Sequence, residues 1–93
     1  MLGNIRNYPN PFNPSTNIEF SINRNRQNAD VSIYNMKGQK VTTIYHGDIA
    51  KNRVYRYIWN ETNSAGNTVV SGVYFMRLST KDYNNIQKII LMK

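Results

Sequence analysis

Apolar and polar residues alternate in several short stretches of this 93-residue chain, and turn-forming residues separate the stretches. Ile18, Phe20 and Ile22 alternate with polar side chains, and so do Val31 and Ile33. A period of two places one set of side chains on one face, which is typical of a half-buried strand. No helical period is visible, so the sequence predicts an all-β fold.

Seven strands are predicted, covering residues 16–22, 30–34, 40–45, 54–59, 68–70, 72–79 and 86–92. Loops rich in Asn and Gly separate them at intervals of about 8–12 residues, a spacing typical of sandwiches. The pattern favours a two-sheet antiparallel sandwich. Its predicted core consists of Ile18, Phe20, Val31, Ile33, Trp59, Tyr74, Met76 and Leu78.

Composition excludes several functional classes. The chain has no cysteine, which excludes disulfide scaffolds, thiolate metal sites and thiol catalysis. Twelve basic and five acidic residues give a net charge of +7, but the basic residues are dispersed along the chain and never adjacent. This distribution favours a solvated basic surface over a nucleic-acid site, so no nucleic-acid partner is expected.

The N-terminal part is interpreted as a linker followed by a turn-rich segment. Residues 1–7 are mostly polar and unpatterned, which suggests a linker remnant, and residues 8–93 then form one domain. Three prolines between residues 9 and 14 exclude a helix or a central strand there, and Phe12 among them is expected to dock onto the sandwich. No apolar run could span a membrane, and no signal peptide is visible. We therefore expect Met1 to begin a fragment of a longer exported parent.

Residues suited to catalysis or metal binding are sparse. His46 is the single histidine, and the five carboxylates are isolated in sequence. No catalytic residue, cofactor or metal ligand is therefore predicted, and the chain is not expected to be an enzyme. The segment 60–66 has some oxygen donors of a calcium loop, but Glu61 is its one charged residue, so a plain turn is favoured.

Several motifs occur in an order that resembles a known family. They are Tyr8-Pro9-Asn10-Pro11-Phe12-Asn13-Pro14-Ser15-Thr16, Gly38-Gln39-Lys40-Val41, Trp59-Asn60, Gly66, Ser71-Gly72-Val73-Tyr74-Phe75 and the stretch 88–93. Residues 8–93 resemble the type A C-terminal sorting domain of type IX (Por) secretion, and also the Ig-like domain of the flagellar hook-capping protein. The chain departs from the family pattern at two places. Glu61 stands where the family usually has Gly, and Asn52-Arg53 replaces the Gly-containing segment that usually precedes the fourth strand.

The resemblance implies a seven-stranded Ig-like or fibronectin-III-like sandwich at the C-terminus of an exported protein. It implies a non-catalytic sorting and anchoring function at the surface of a Gram-negative bacterium. The expected partners are the outer-membrane secretion and sortase machinery and the N-terminal cargo domains of the parent. The candidate recognition residues are Tyr8, Pro9, Asn10, Pro11, Gly72, Tyr74, Lys88, Ile89, Ile90, Leu91 and Lys93.

Several alternatives remain open from the sequence alone. Tyr74 resembles the tyrosine of a tyrosine corner, so it is either a core residue or part of a recognised segment. Tyr55, Tyr57 and Trp59 share one strand face, which suits either core packing or a sugar-stacking platform. The last strand is either paired within the sandwich or an edge open to strand addition. Two alternative functions remain open: a purely structural role, as in a hook-cap or spacer domain, and carbohydrate binding.

Overall fold

The computed structural model describes residues 3–12 and 15–93. Within these residues, seven strands form two antiparallel sheets, which confirms the predicted all-β sandwich. The three-stranded sheet has the order β1-β2-β5, and the four-stranded sheet has the order β4-β3-β6-β7. The strands are β1 (Gly3–Tyr8), β2 (Thr16–Ile22), β3 (Arg26–Tyr34), β4 (Lys40–Ile49), β5 (Tyr55–Trp59), β6 (Gly72–Ser79) and β7 (Asn84–Leu91).

The count of seven agrees with the expectation, but the set of strands differs. Residues 3–7, assigned above to a linker, lie in β1, which pairs along its length with β2 and buries Ile5. A strand at a sheet edge needs few apolar residues, because its partner supplies the backbone hydrogen bonds. Residues 68–70 form no strand; only an isolated bridge joins Thr68 to Thr62. Met1, Leu2, Asn13 and Pro14 lie outside the described residues.

The core lies between the two sheets. All eight residues expected in it are buried, and β1, β4 and β7 add Ile5, Ile49, Ile89 and Leu91. Phe12 is also buried, as expected from its position among the prolines. No helix among the described residues is long and apolar enough to cross a membrane.

Candidate recognition surface

The segment that follows β1 connects the two sheets at one edge of the sandwich. We call residues 9–12 the capping segment. Phe12 N donates a hydrogen bond to Ile90 O at 3.0 Å, and Met92 N donates to Phe12 O at 2.9 Å, so the segment pairs in parallel with the end of β7. Asn10 continues this pairing with its side chain, because Nδ2 donates to Lys88 O at 3.2 Å and Oδ1 accepts from Ile90 N at 3.0 Å. The capping segment therefore acts as a short extra strand on β7.

Pairing with the capping segment divides the outer edge of β7 into two halves. Along one half, Lys88, Ile90 and Met92 are hydrogen-bonded to the capping segment. On the outer side of residues 84–87, none of the other described segments forms a backbone hydrogen bond. The whole of β7 pairs with β6, so the two halves differ only on the outer side, where residues 84–87 form an edge that no other described segment pairs with.

The candidate recognition residues of the last strand face different environments. Ile89 and Leu91 are buried in the core, and Ile90 is half-buried. Lys88 and Lys93 are exposed, and Lys93 N donates a hydrogen bond to Ser71 Oγ at 3.0 Å. A partner at the surface could therefore contact the two lysines directly, whereas Ile89 and Leu91 hold the strand in place.

Tyr74 forms the tyrosine corner that the sequence suggested. Its hydroxyl donates a hydrogen bond to Val70 O at 2.6 Å, four residues earlier. Its ring meets Trp59 edge-on with a centroid distance of 5.4 Å, and Phe12 contacts the same indole at 5.3 Å. Burial raises the pKa of the Tyr74 phenol, because the anionic form loses solvation. Phe12 and Tyr74, which belong to two separate pieces of the family motif, therefore both pack against the Trp59 side chain.

The other aromatic residues of β5 pack between the sheets. The Tyr55 ring is stacked on Phe20 with a centroid distance of 5.2 Å, and Tyr57 lies 6.0 Å from the same ring. Tyr45 of the opposite sheet contacts both at 5.5 and 5.6 Å. Since ring faces in such a cluster are already in contact with protein, the arrangement favours core packing over a sugar-stacking platform.

An ion-pair ladder that the sequence did not reveal crosses the outer face of the three-stranded sheet. Glu19 accepts hydrogen bonds from Arg6 Nε at 2.8 Å and from Arg56 Nε at 2.7 Å. The bonds from these two guanidinium groups lower the pKa of the Glu19 carboxyl. The three residues lie far apart in the chain, so strand register alone brings them together.

The surroundings of His46 offer little for catalysis. Its Nδ1 lies 3.6 Å from Asp30 Oδ2, and its side chain is 62% exposed. Lys40 Nζ lies at the same distance from that carboxylate oxygen, and Ser32 Oγ donates to the other oxygen. The hydroxyl is thus bonded to the carboxylate rather than to the imidazole, which is not the arrangement of an activated nucleophile. Among the described residues, no group of three or more His, Cys, Asp or Glu side chains could hold a metal ion.

The segment 60–66 is a compact turn. Asn63 Oδ1 accepts hydrogen bonds from Ala65 N and Asn67 N, both at 3.0 Å, and Trp59 Nε1 donates to Thr62 O at 2.9 Å. Glu61 has a φ of 60°, in the left-handed region that favours glycine. The turn therefore keeps a glycine-type backbone at the position where the resemblance implies Gly as the usual residue.

Comparisons with known proteins agree with this architecture. Similar solved structures are dimeric latent PorU from Porphyromonas gingivalis (20% identity, TM-score 0.75) and PorZ from the same organism (19% identity, TM-score 0.60). PorZ is described as an essential surface component of the type-IX secretion system. The matches cover 97% and 96% of this chain but 9% and 11% of those proteins, so the chain spans about a tenth of their length. At these identities, the likeness concerns the fold.

The family of this chain follows from its sequence and not from the structural similarity. A comparison with curated proteins gave no match. The family model described as the secretion system C-terminal sorting domain matches residues 6–92, nearly the whole chain. The chain therefore belongs to the family of secretion system C-terminal sorting domains, which are sorting signals of type IX secretion.

Proposed function

We propose that this domain is non-catalytic and directs a larger exported protein across the outer membrane to the cell surface. Its partners are then the outer-membrane secretion and sortase machinery and the cargo domains of the parent. Membership of the sorting-domain family supports this function and favours it over the hook-cap, spacer and carbohydrate-binding alternatives. Non-catalytic action is also supported by the surroundings of His46, where the described residues place one carboxylate, that of Asp30, within ion-pair distance.

Pairing of the capping segment with β7 is the main structural support for this function. Two separate parts of the family motif, around Asn10 and around Lys88, form one continuous surface through two side-chain hydrogen bonds. A receptor that contacts both parts would bind the folded domain and not the unfolded chain, in which the two parts lie far apart. We propose that the machinery recognises this composite edge, with Tyr8, Pro9, Pro11 and Lys93 at its margins.

A reporter fusion tests the proposed function. Residues 1–93 are appended to a secreted reporter enzyme in a Gram-negative host that carries type IX machinery. We expect the reporter at the cell surface or in the medium, and a host lacking the machinery should retain it in the periplasm. Periplasmic retention in both hosts would refute the sorting function.

A matched pair of variants tests the composite edge. Asn10→Asp keeps the size of the side chain but removes the Nδ2 donor to Lys88 O and leaves two oxygen atoms facing each other. Asn67→Asp makes the same chemical change at an exposed position of the turn after β5. We expect the first variant to reduce surface delivery severalfold and the second to leave it unchanged. Equal delivery by both would show that the composite edge is not recognised.

A further inference from the structure

The outer face of the four-stranded sheet carries an apolar pocket that none of the candidate recognition residues lines. Its volume is about 350 Å³, and its lining includes Tyr34, Met36, Gly38, Phe75, Arg77 and Ile86. Register explains the grouping, because Phe75 pairs with Tyr34, and Arg77 pairs with Ile86. The turn after β3 adds Met36 as one wall. We call this site the Arg77 pocket.

In the described part of the chain, the cation of this pocket pairs with no carboxylate. The Arg77 guanidinium lies over the Tyr34 ring, 5.5 Å from its centroid, and its Nε is buried without a hydrogen-bond acceptor among the described residues. The nearest acidic residue on this sheet face by register is Asp30, whose carboxylate is engaged by Ser32, Lys40 and His46. The remaining ion pairs of the described chain involve Glu19 and Asp82, and neither includes Arg77.

Exposed apolar side chains border this cation. Met36 is 72% exposed and Ile86 is 54% exposed, although both are large hydrophobic residues. Apolar surface next to polar groups is typical of protein–protein contacts, in which arginine and methionine are enriched. An uncompensated arginine at such a contact favours a partner that supplies a carboxylate, since charge complementarity selects partners and orients them. Ile86 also belongs to the open half of the β7 edge.

We propose that the Arg77 pocket docks an extended segment of a secretion-machinery protein that carries an apolar side chain and, two residues away, a carboxylate. In an extended chain, side chains two residues apart point to the same side, so both can face the sheet. The apolar side chain enters between Met36 and Phe75, and the carboxylate accepts from the guanidinium of Arg77. This inference rests on the proposed sorting function and specifies a second contact surface for it.

Reporter delivery separates this inference from the sorting function. Arg77→Met removes the charge but keeps an apolar chain over Tyr34, and Arg24→Met removes a charge from the exposed loop after β2. We expect Arg77→Met to lower surface delivery at least fivefold, with Arg24→Met matching the unsubstituted domain. If Arg77→Met is delivered normally, the Arg77 pocket is not a docking site, while the sorting function stands. If the unsubstituted domain itself is not delivered, the sorting function fails.

A second pair of variants adds charge without truncating the arginine. Met36→Glu places a carboxylate beside Arg77 at a mostly exposed position, where it competes with the carboxylate of the partner. Ile58→Glu makes an equivalent change on the outer face of the opposite sheet, where Ile58 is also exposed. We expect Met36→Glu alone to impair delivery. Thermal unfolding of each purified variant verifies folding, and impairment of a folded Ile58→Glu variant to the same extent would overturn the inference.

Direct binding is measured with a defined probe. The blocked tripeptide N-acetyl-leucyl-valyl-glutamate amide is titrated into the 93-residue chain while backbone amide shifts are recorded by NMR. We expect shifts confined to residues 34–38, 75–77 and 86, and at least tenfold weaker binding by Arg77→Met or by the glutamine counterpart of the peptide. Absent shifts, or shifts spread evenly over the domain, would overturn the inference. It would also be overturned if the chain bound phosphatidylglycerol vesicles through Arg77 and did not bind the peptide.

Discussion

Replacing Glu61 by glycine should stabilise the domain, because two unfavourable features coincide at this residue. Its φ of 60° places an L-residue in the left-handed region, which costs about 1–2 kcal/mol. Its Oε2 atom is buried and has no hydrogen-bond partner among residues 3–12 and 15–93, and relieving such a group recovers about 1 kcal/mol. The backbone hydrogen bond from Val69 N to Glu61 O, 2.8 Å long, does not depend on the side chain.

The expected gain follows from these values and the entropy of glycine. Ordering glycine on folding costs about 0.5–1 kcal/mol more free energy than ordering alanine, because glycine loses more conformational entropy. This cost offsets part of the gain from removing the strained backbone conformation. The net gain for Glu61→Gly is therefore about 1.5 kcal/mol. In a domain of this size, each kcal/mol corresponds to roughly 4–8 °C in Tm. Urea denaturation at pH 7 provides the free energy of unfolding, and calorimetry provides Tm.

Two further variants separate the causes. Glu61→Ala removes the buried oxygen but leaves an L-residue at positive φ, so we expect a gain of about 1 kcal/mol. Asn28→Gly tests positive φ alone, because Asn28 has a φ of 55° in an exposed position and asparagine tolerates that conformation. Its effect should stay within about 0.5 kcal/mol. A neutral or destabilising effect of Glu61→Gly would contradict the proposed strain at Glu61, and so would an Asn28→Gly gain as large as that of Glu61→Gly.

Three other predictions concern the edge, the corner and the ion-pair ladder. Phe12→Ala should cost about 3–5 kcal/mol in urea denaturation, because it empties the site against Trp59; a cost below about 1 kcal/mol would contradict its burial. Tyr74→Phe should cost about 1 kcal/mol through the lost hydrogen bond to Val70 O, and an unchanged midpoint would show that this bond adds nothing. Glu19→Gln should lower Tm at pH 7. The Glu19 pKa is lowered in the folded state, so its contribution is present above the ordinary pKa of 4.5 and is lost as pH falls below it. The Tm difference from the unsubstituted chain should therefore shrink at pH 3, and a constant difference would contradict the assignment.

Much of the interior could be predicted because it depends on local alternation. The period of two in β2, β3 and β6 determines which side chains face inward, and all eight predicted core residues are buried there or at Trp59. The motif around Gly72 and Tyr74 predicted the corner, since a hydrogen bond to a residue four positions earlier is a local feature. Proline content likewise predicted that this stretch is not a central strand, and its described part, residues 9–12, forms only an isolated bridge with β7.

Edge pairing and surface charge could not be predicted in this way. The strand β1 has one buried apolar residue, Ile5, and owes its structure to backbone hydrogen bonds with β2, which leave no mark on its own residue pattern. The same reason explains why the capping of β7 by Asn10 and Phe12 was missed, since about 80 residues separate the partners.

Sequence by itself determined the fold class, much of the core and the family of this protein, because alternation, turn residues and motifs lie in neighbouring positions. Tertiary structure decided which half of the outer β7 edge stays unpaired and which charged side chains form ion pairs. Strand register alone places two arginines beside Glu19, and it leaves Arg77 without a carboxylate from the described strands. Register is set by the packing of both sheets together, and a single strand does not encode it.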